Sequence, residues 1–84
     1  MRKKAQLGSN SEQFARKILA IVKAFHVQPG QLIMTRFVDT KFLIGGGSMD
    51  EFEAGLGYAD QRGWLQVESG GANLCLTQSG LEAI

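Results

Sequence analysis

Side chains that could carry chemistry are few in this chain of 84 residues, and their spacing assembles no catalytic group. The chain contains one cysteine, Cys75, and one histidine, His26. A single cysteine excludes an internal disulfide and a cysteine-based metal site. No nucleophile–base pair, carboxylate dyad or metal cluster can be built from the other residues. We therefore expect no enzyme activity, cofactor, metal or small-molecule substrate, with Cys75 packed as a small hydrophobe in a strand.

Charge is distributed unevenly along the chain. Residues 1–47 carry eight lysines and arginines against two acidic residues, a balance of +6. Residues 48–84 carry one arginine against six acidic residues, a balance of −5. Because cations release counterions from nucleic-acid phosphates, the basic residues of the first half are candidates for nucleic-acid contact. These candidates are Arg2, Lys3, Lys4, Arg16, Lys17, Lys23, Arg36 and Lys41.

A first helix positions several of these cations. Ser9 and Glu12 have the spacing of a capping box, which predicts a helix from Ser9 to about residue 25 or 26. One face of this helix carries the apolar residues Phe14, Ile18, Ile21, Val22 and Phe25. Residues 1–8 precede the helix as a basic arm that we expect to be disordered. The arm is either a solvated tail or a segment that contacts phosphates.

The second helix has a less regular pattern. Pro29 and Gly30 end the first helix, residues 31–33 predict a short strand, and a helix is expected from Met34 or Thr35 to Ile44. Met34, Phe37 and Ile44 share one face. Phe42 and Leu43 do not fall on that face. Either the helix boundary is shifted by a few residues, or part of the helix contacts something beyond its own core, which would indicate a dimer surface.

The third helix and a hairpin have clearer signals. Ser48 and Glu51 form a second capping box, and Gly63 stands where a left-handed residue ends a helix. Residues 45–47 are three glycines that suit a tight turn between crossing helices. Residues 64–67 and 74–76 flank a Ser-Gly-Gly-Ala turn, the pattern of a β-hairpin.

These segments carry a resemblance to a known family. The run YADQRGWL (58–65) followed by NLCLTQSG (73–80) resembles the third helix and wing of the winged helix-turn-helix superfamily, and the resemblance covers residues 9–84. It implies an α+β fold of three helices and a C-terminal β-hairpin wing, with a short first strand and a short final helix. Winged-helix domains mostly bind DNA, which makes DNA binding the starting expectation.

The third helix departs from that expectation. A DNA-reading winged helix places the outward face of its third helix in the major groove. In this chain the outward face carries Asp50, Glu53, Ala54, Gly57 and Gln61. Only Gln61 is a residue type that commonly reads bases, and carboxylates facing phosphates are repulsive. Residues 68–73 of the wing contain no lysine or arginine, so the usual reading surface has the wrong charge.

Two functions are consistent with the sequence. The first is a small bacterial or phage-type DNA-binding or transcription-associated protein. Its weakly sequence-specific contacts would come from the basic arm and the first two helices, together with Gln61. The second is a protein-interaction or homodimerisation module that has lost DNA reading, with contacts through Phe42, Leu43, Ala54 and Gly57. No apolar run reaches the roughly 20 residues of a membrane span and no signal-peptide pattern is present, so we expect a cytoplasmic protein.

Overall fold

The computed structural model contains four α-helices and one three-stranded antiparallel sheet among the residues that it describes. It describes the backbone of residues 2–84 and the side chains of residues 10–84. The elements are α1 (Arg2–Ala24), β1 (Leu32–Met34), α2 (Thr35–Ile44), α3 (Met49–Gln61), β2 (Leu65–Glu68), β3 (Asn73–Leu76) and α4 (Gln78–Ala83). A short 3-10 turn, Ser69–Gly71, joins β2 to β3. The predicted α+β class is confirmed, as are the short first strand, the hairpin and the short final helix.

The sheet places one face on the helices. Its strand order is β1-β3-β2, and both pairs are antiparallel. Ile33 lies opposite Leu74, and Leu65 lies opposite Leu76. All four of these side chains are buried, whereas Leu32 on the other face is exposed, as the alternation of side chains along a strand requires.

Helix α1 differs from the prediction at both ends. Its helical backbone begins at Arg2, so residues 2–8 form the first turns of α1. Ser9 therefore lies inside the helix and not at its N-cap. Ile18 and Val22 are buried as predicted, but Phe25 follows the last residue of α1, Ala24, and is 38% exposed. The expectation that Phe25 packs inward was therefore wrong, because the helix ends one residue before it.

A close approach between α1 and α3 determines how the helices pack. A Cβ atom placed on Gly55 of α3 would lie 2.7 Å from the Cβ of Phe14 and 2.8 Å from the backbone nitrogen of Ala15. Only glycine allows the two backbones to come this near. Gly55 therefore leaves room for the Phe14 segment of α1.

Local signals at the ends of α3 are also confirmed. The Ser48 hydroxyl accepts a hydrogen bond from the Glu51 backbone N–H at 3.1 Å, and the Glu51 carboxylate accepts one from the Ser48 N–H at 3.0 Å. Gly63 has φ = 76°, the left-handed conformation that ends the helix. By contrast, no side-chain cap is present at the start of α2, where Met34 occupies the N-cap position.

Candidate interaction surface

A groove lies between the C-terminal half of α1 and α2. Three surface concavities of about 240, 260 and 420 Å³ form it, and all three are lined by Lys41. We call it the α1/α2 groove, and it is lined by Lys17, Ala20, Ile21, Ala24, Phe25, Arg36, Phe37, Thr40, Lys41, Phe42, Gly45 and Gly47. The lining is mostly apolar and also holds three cations. It therefore offers apolar contact area and positive charge at one place.

The groove ends in an exposed aromatic pair. Phe25, which directly follows α1, stacks on Phe37 of α2 with ring centroids 6.3 Å apart and planes at 23°. Both rings still face solvent, since Phe37 is 50% exposed, and Ile44 at the end of α2 is 76% exposed. Exposed apolar area costs about 25 cal/mol per Å² relative to burial, and grouped exposed apolar side chains are typical of interaction sites.

Sequence reasoning missed this pair because helical periodicity assigned both rings to the core. The position of Phe25 at the predicted end of the first helix, four residues before Pro29, was the available signal. The structure ends α1 at Ala24, so Phe25 belongs to the connection that leads to β1. For Phe37 the signal was the conflict between its apolar stripe and the one that contains Phe42.

Four of the predicted phosphate-binding cations remain available on the surface. Lys17, Arg36 and Lys41 line the groove, whereas Lys23 is exposed on α1 outside it. Within the described part of the chain, none of these four forms an ion pair. Gln61 lies elsewhere, in a concavity beside α3. The side chains of Arg2, Lys3 and Lys4 lie outside the described residues, and so does their predicted contact with phosphates.

Arg16 was predicted as a phosphate contact, but the structure gives it internal partners. Its guanidinium donates to a Glu12 carboxylate oxygen at 3.0 Å and to the Ala83 carbonyl at 2.9 Å. It also lies over the Trp64 ring, 5.0 Å from the centroid. Three kinds of contact hold this side chain between α1, α4 and Trp64, so its charge is already paired within the fold.

Glu12 completes this arrangement, which we call the Arg16 clasp (Glu12, Arg16, Tyr58, Trp64 and Ala83). The Tyr58 hydroxyl donates to the second Glu12 carboxylate oxygen at 3.2 Å, which links α1 to α3. Hydrogen bonds from Arg16 and then from Tyr58 lower the pKa of Glu12 below its ordinary value, against a smaller effect of desolvation. The carboxylate therefore stays ionised in mildly acidic solution.

Two of the residues predicted for protein contact, Phe42 and Leu43, differ in their exposure. Phe42 is only 4% exposed, and its ring packs edge-on against Phe14 and Phe52, with centroids 6.3 and 5.5 Å away. Phe42 is thus a core residue that also lines the α1/α2 groove. Leu43 is 40% exposed and remains available.

The outward face of α3 has the composition that the sequence indicated. Asp50, Glu53, Gly57 and Gln61 are exposed, and Ala54 is half-buried. A concavity of about 480 Å³ beside this face is lined in part by Glu53, Ala54 and Gly57. We call Asp50, Glu53, Ala54, Gly57 and Gln61 the acidic α3 face. It presents the carboxylates of Asp50 and Glu53 beside the small residues Ala54 and Gly57.

The structure and the comparisons add three findings. No group of three or more histidine, cysteine or acidic side chains could hold a metal ion among the described residues. Helices long and apolar enough to cross a membrane are likewise absent from that part of the chain. Comparisons with protein-family models, curated proteins and solved structures found no match.

Proposed function

We propose that the chain is a protein-interaction module with a winged helix-turn-helix arrangement, and that the α1/α2 groove is its binding surface. The order of elements, in which a short strand separates α1 from α2 and a hairpin follows α3, supports the winged-helix assignment. So does the strand order β1-β3-β2, because the first strand pairs with the last strand of the hairpin.

One observation carries the proposed function: the outer side of α2 exposes large apolar side chains although the helix has its expected bounds. The structure places α2 at Thr35–Ile44, as the sequence predicted, so a shifted boundary does not explain the irregular apolar pattern. Val38 and Phe42 are buried in the core, while Phe37 and Ile44 are at least half exposed. That surplus is typical of a surface covered by a partner.

The chemistry of the groove indicates which partner it would accept. Lys17 and Lys41 lie beside small and apolar residues of α1, including Ala20 and Ile21. An amphipathic helix could place apolar side chains on those residues while its carboxylates approach the two ammonium groups. The expected partner is therefore an acidic, amphipathic helical segment.

A backbone-amide NMR titration of the labelled full chain tests this proposal. The probe is a designed helical peptide with leucines on one face and glutamates beside them, added at a protein concentration that keeps the chain monomeric. We expect shifts at Lys17, Ile21, Phe25 and Lys41. The matched control is the same peptide with lysines in place of the glutamates, which like charges at the groove should weaken.

Unchanged groove amides in the presence of the glutamate peptide would overturn the proposal. Equal shifts with both peptides would show that the three groove cations play no part in recognition. That result would remove the acidic partner while leaving the apolar surface as the binding site.

DNA binding is the second candidate, and the cations without ion pairs favour it. Lys17, Lys23, Arg36 and Lys41 could contact about four phosphates. Affinity would then fall roughly a hundredfold for a fourfold rise in salt. A short generic duplex in the same titration separates the two functions. Shifts that centre on these cations and disappear at moderate salt would support DNA binding, whereas salt-insensitive binding or no binding would argue against it.

A further inference from the structure

The molecule carries a surface that matches its own groove. On the acidic α3 face, a Cβ atom placed on Gly57 would meet no atom within 4 Å, and Ala54 beside it is also small. Helix axes can approach closely where the contact residues are small. Glu53 and Asp50 flank this strip, and Asp60 lies at its edge. A low apolar strip bordered by carboxylates is the shape and charge that the groove would accept.

The groove has the complementary pattern. Ala20 and Ala24 of α1 are small, and with Ile21 they provide a shallow floor next to Lys41. Lys17 lies at the same floor. Small residues on both sides would let two helices approach, with carboxylates of one surface beside ammonium groups of the other.

We propose that the α1/α2 groove of one copy receives the acidic α3 face of a second copy. This inference rests on the proposed function and names the partner. Among the described residues, the carboxylates of Asp50, Glu53 and Asp60 form no ion pair within their own copy, and neither do the groove cations. The two halves carry +6 and −5 while the whole chain carries only +1, so copies attract at these surfaces with little overall repulsion.

The donor and acceptor surfaces are different parts of one molecule. Two copies that exchange both surfaces close into a pair, whereas copies that use one contact each form a longer array. In either arrangement every contact joins a groove to an acidic α3 face. Reversing the charge of one of these two surfaces therefore weakens association in both arrangements.

Charge reversal followed by mixing tests the proposal. The groove variant carries Lys17→Glu and Lys41→Glu, and the α3 variant carries Glu53→Lys and Asp60→Lys. None of the four side chains takes part in the capping box or in the core. By sedimentation velocity over a concentration series, the wild-type chain should associate. Each variant alone should associate about tenfold or more weakly, because like charges then face each other.

The equimolar mixture of the two variants decides the question. Every groove–α3 contact between unlike variants again joins opposite charges, so the mixture should associate as the wild type does. Two monomeric variants that remain monomeric when mixed would overturn the proposal. It would also be overturned by a variant that associates alone as strongly as the wild type, or by a monomeric wild-type chain.

A substitution without charge provides an independent variant. Gly57→Leu adds a side chain into open space on the acidic α3 face, so it should leave the fold intact while separating the two helices. We expect at least a tenfold loss of association. Unchanged association of a folded Gly57→Leu chain would exclude close contact at this strip and overturn the proposal.

The result also separates this inference from the proposed function. A monomeric wild-type chain whose groove still binds the glutamate peptide would overturn self-association alone. A groove that accepts neither the peptide nor a second copy would overturn both.

Discussion

Helix α1 has two helical neighbours and packs against them in different ways. Against α3 the backbones come so close that Gly55 leaves no room for a Cβ atom beside Phe14, and the Arg16 clasp links the surfaces at the edge. Against α2 the contact opens into the α1/α2 groove, where Lys17 and Lys41 form no ion pair within the described residues.

The difference separates what holds the fold from what is available for binding. At the α1/α3 contact, Glu12 and Arg16 use their hydrogen-bonding groups on each other, on Tyr58 and on the Ala83 carbonyl. At the α1/α2 groove, the lysines form no ion pair within the described residues and the aromatic rings of Phe25 and Phe37 are exposed. Similar residue types, a cation beside an aromatic ring, therefore have different roles on the two sides of one helix.

The largest expected effect compares two phenylalanines of α2. Phe42→Ala removes a core ring and should lower the free energy of unfolding by about 3–5 kcal/mol. Phe37→Ala removes a half-exposed ring and the stacking on Phe25, which should cost only about 1 kcal/mol. Urea denaturation of both variants measures the difference. Equal losses would mean that the outer side of α2 is as much a part of the core as the inner side.

A pair of glycines tests the close side of the comparison at a smaller scale. Gly55→Ala should lower the free energy of unfolding by about 1–3 kcal/mol, because the backbones of α1 and α3 must separate. Gly57→Ala, in the same helix but facing open space, should raise it by about 0.5–1 kcal/mol through helix propensity. The control thus has the opposite sign. A stabilising Gly55→Ala would contradict the close packing of α1 on α3.

The smallest expected effect is the pH dependence of the Arg16 clasp. The pKa of Glu12 is lower in the folded chain than in the unfolded chain. Its contribution is therefore present above the unfolded pKa and is lost as the pH falls through the folded pKa. Glu12→Gln should be slightly less stable than the wild type near neutral pH, and the difference should shrink in acid. Urea denaturation at several pH values measures this, and a constant difference would argue against the hydrogen bonds described.

The parts of the fold that depend on residues close together in the sequence were predictable. The bounds of α2 and α3, the hairpin and the short final helix agree with the sequence pattern, because caps and turns involve residues a few positions apart. The candidate site was predictable only in its charges. The sequence indicated Lys17 and Lys41 as basic surface residues, but it did not place them in one groove.

What the sequence determined by itself was therefore local: the capping box of Ser48 and Glu51, the stop at Gly63, and the division of charge between the two halves. The tertiary structure decided which side of α2 turns inward and which cations among residues 10–84 form no ion pair. Arg16 shows the reason most clearly, since its bond to the Ala83 carbonyl joins residues 67 positions apart. No local pattern encodes a contact at that separation, because it exists only once α1 and α4 have packed around the same core.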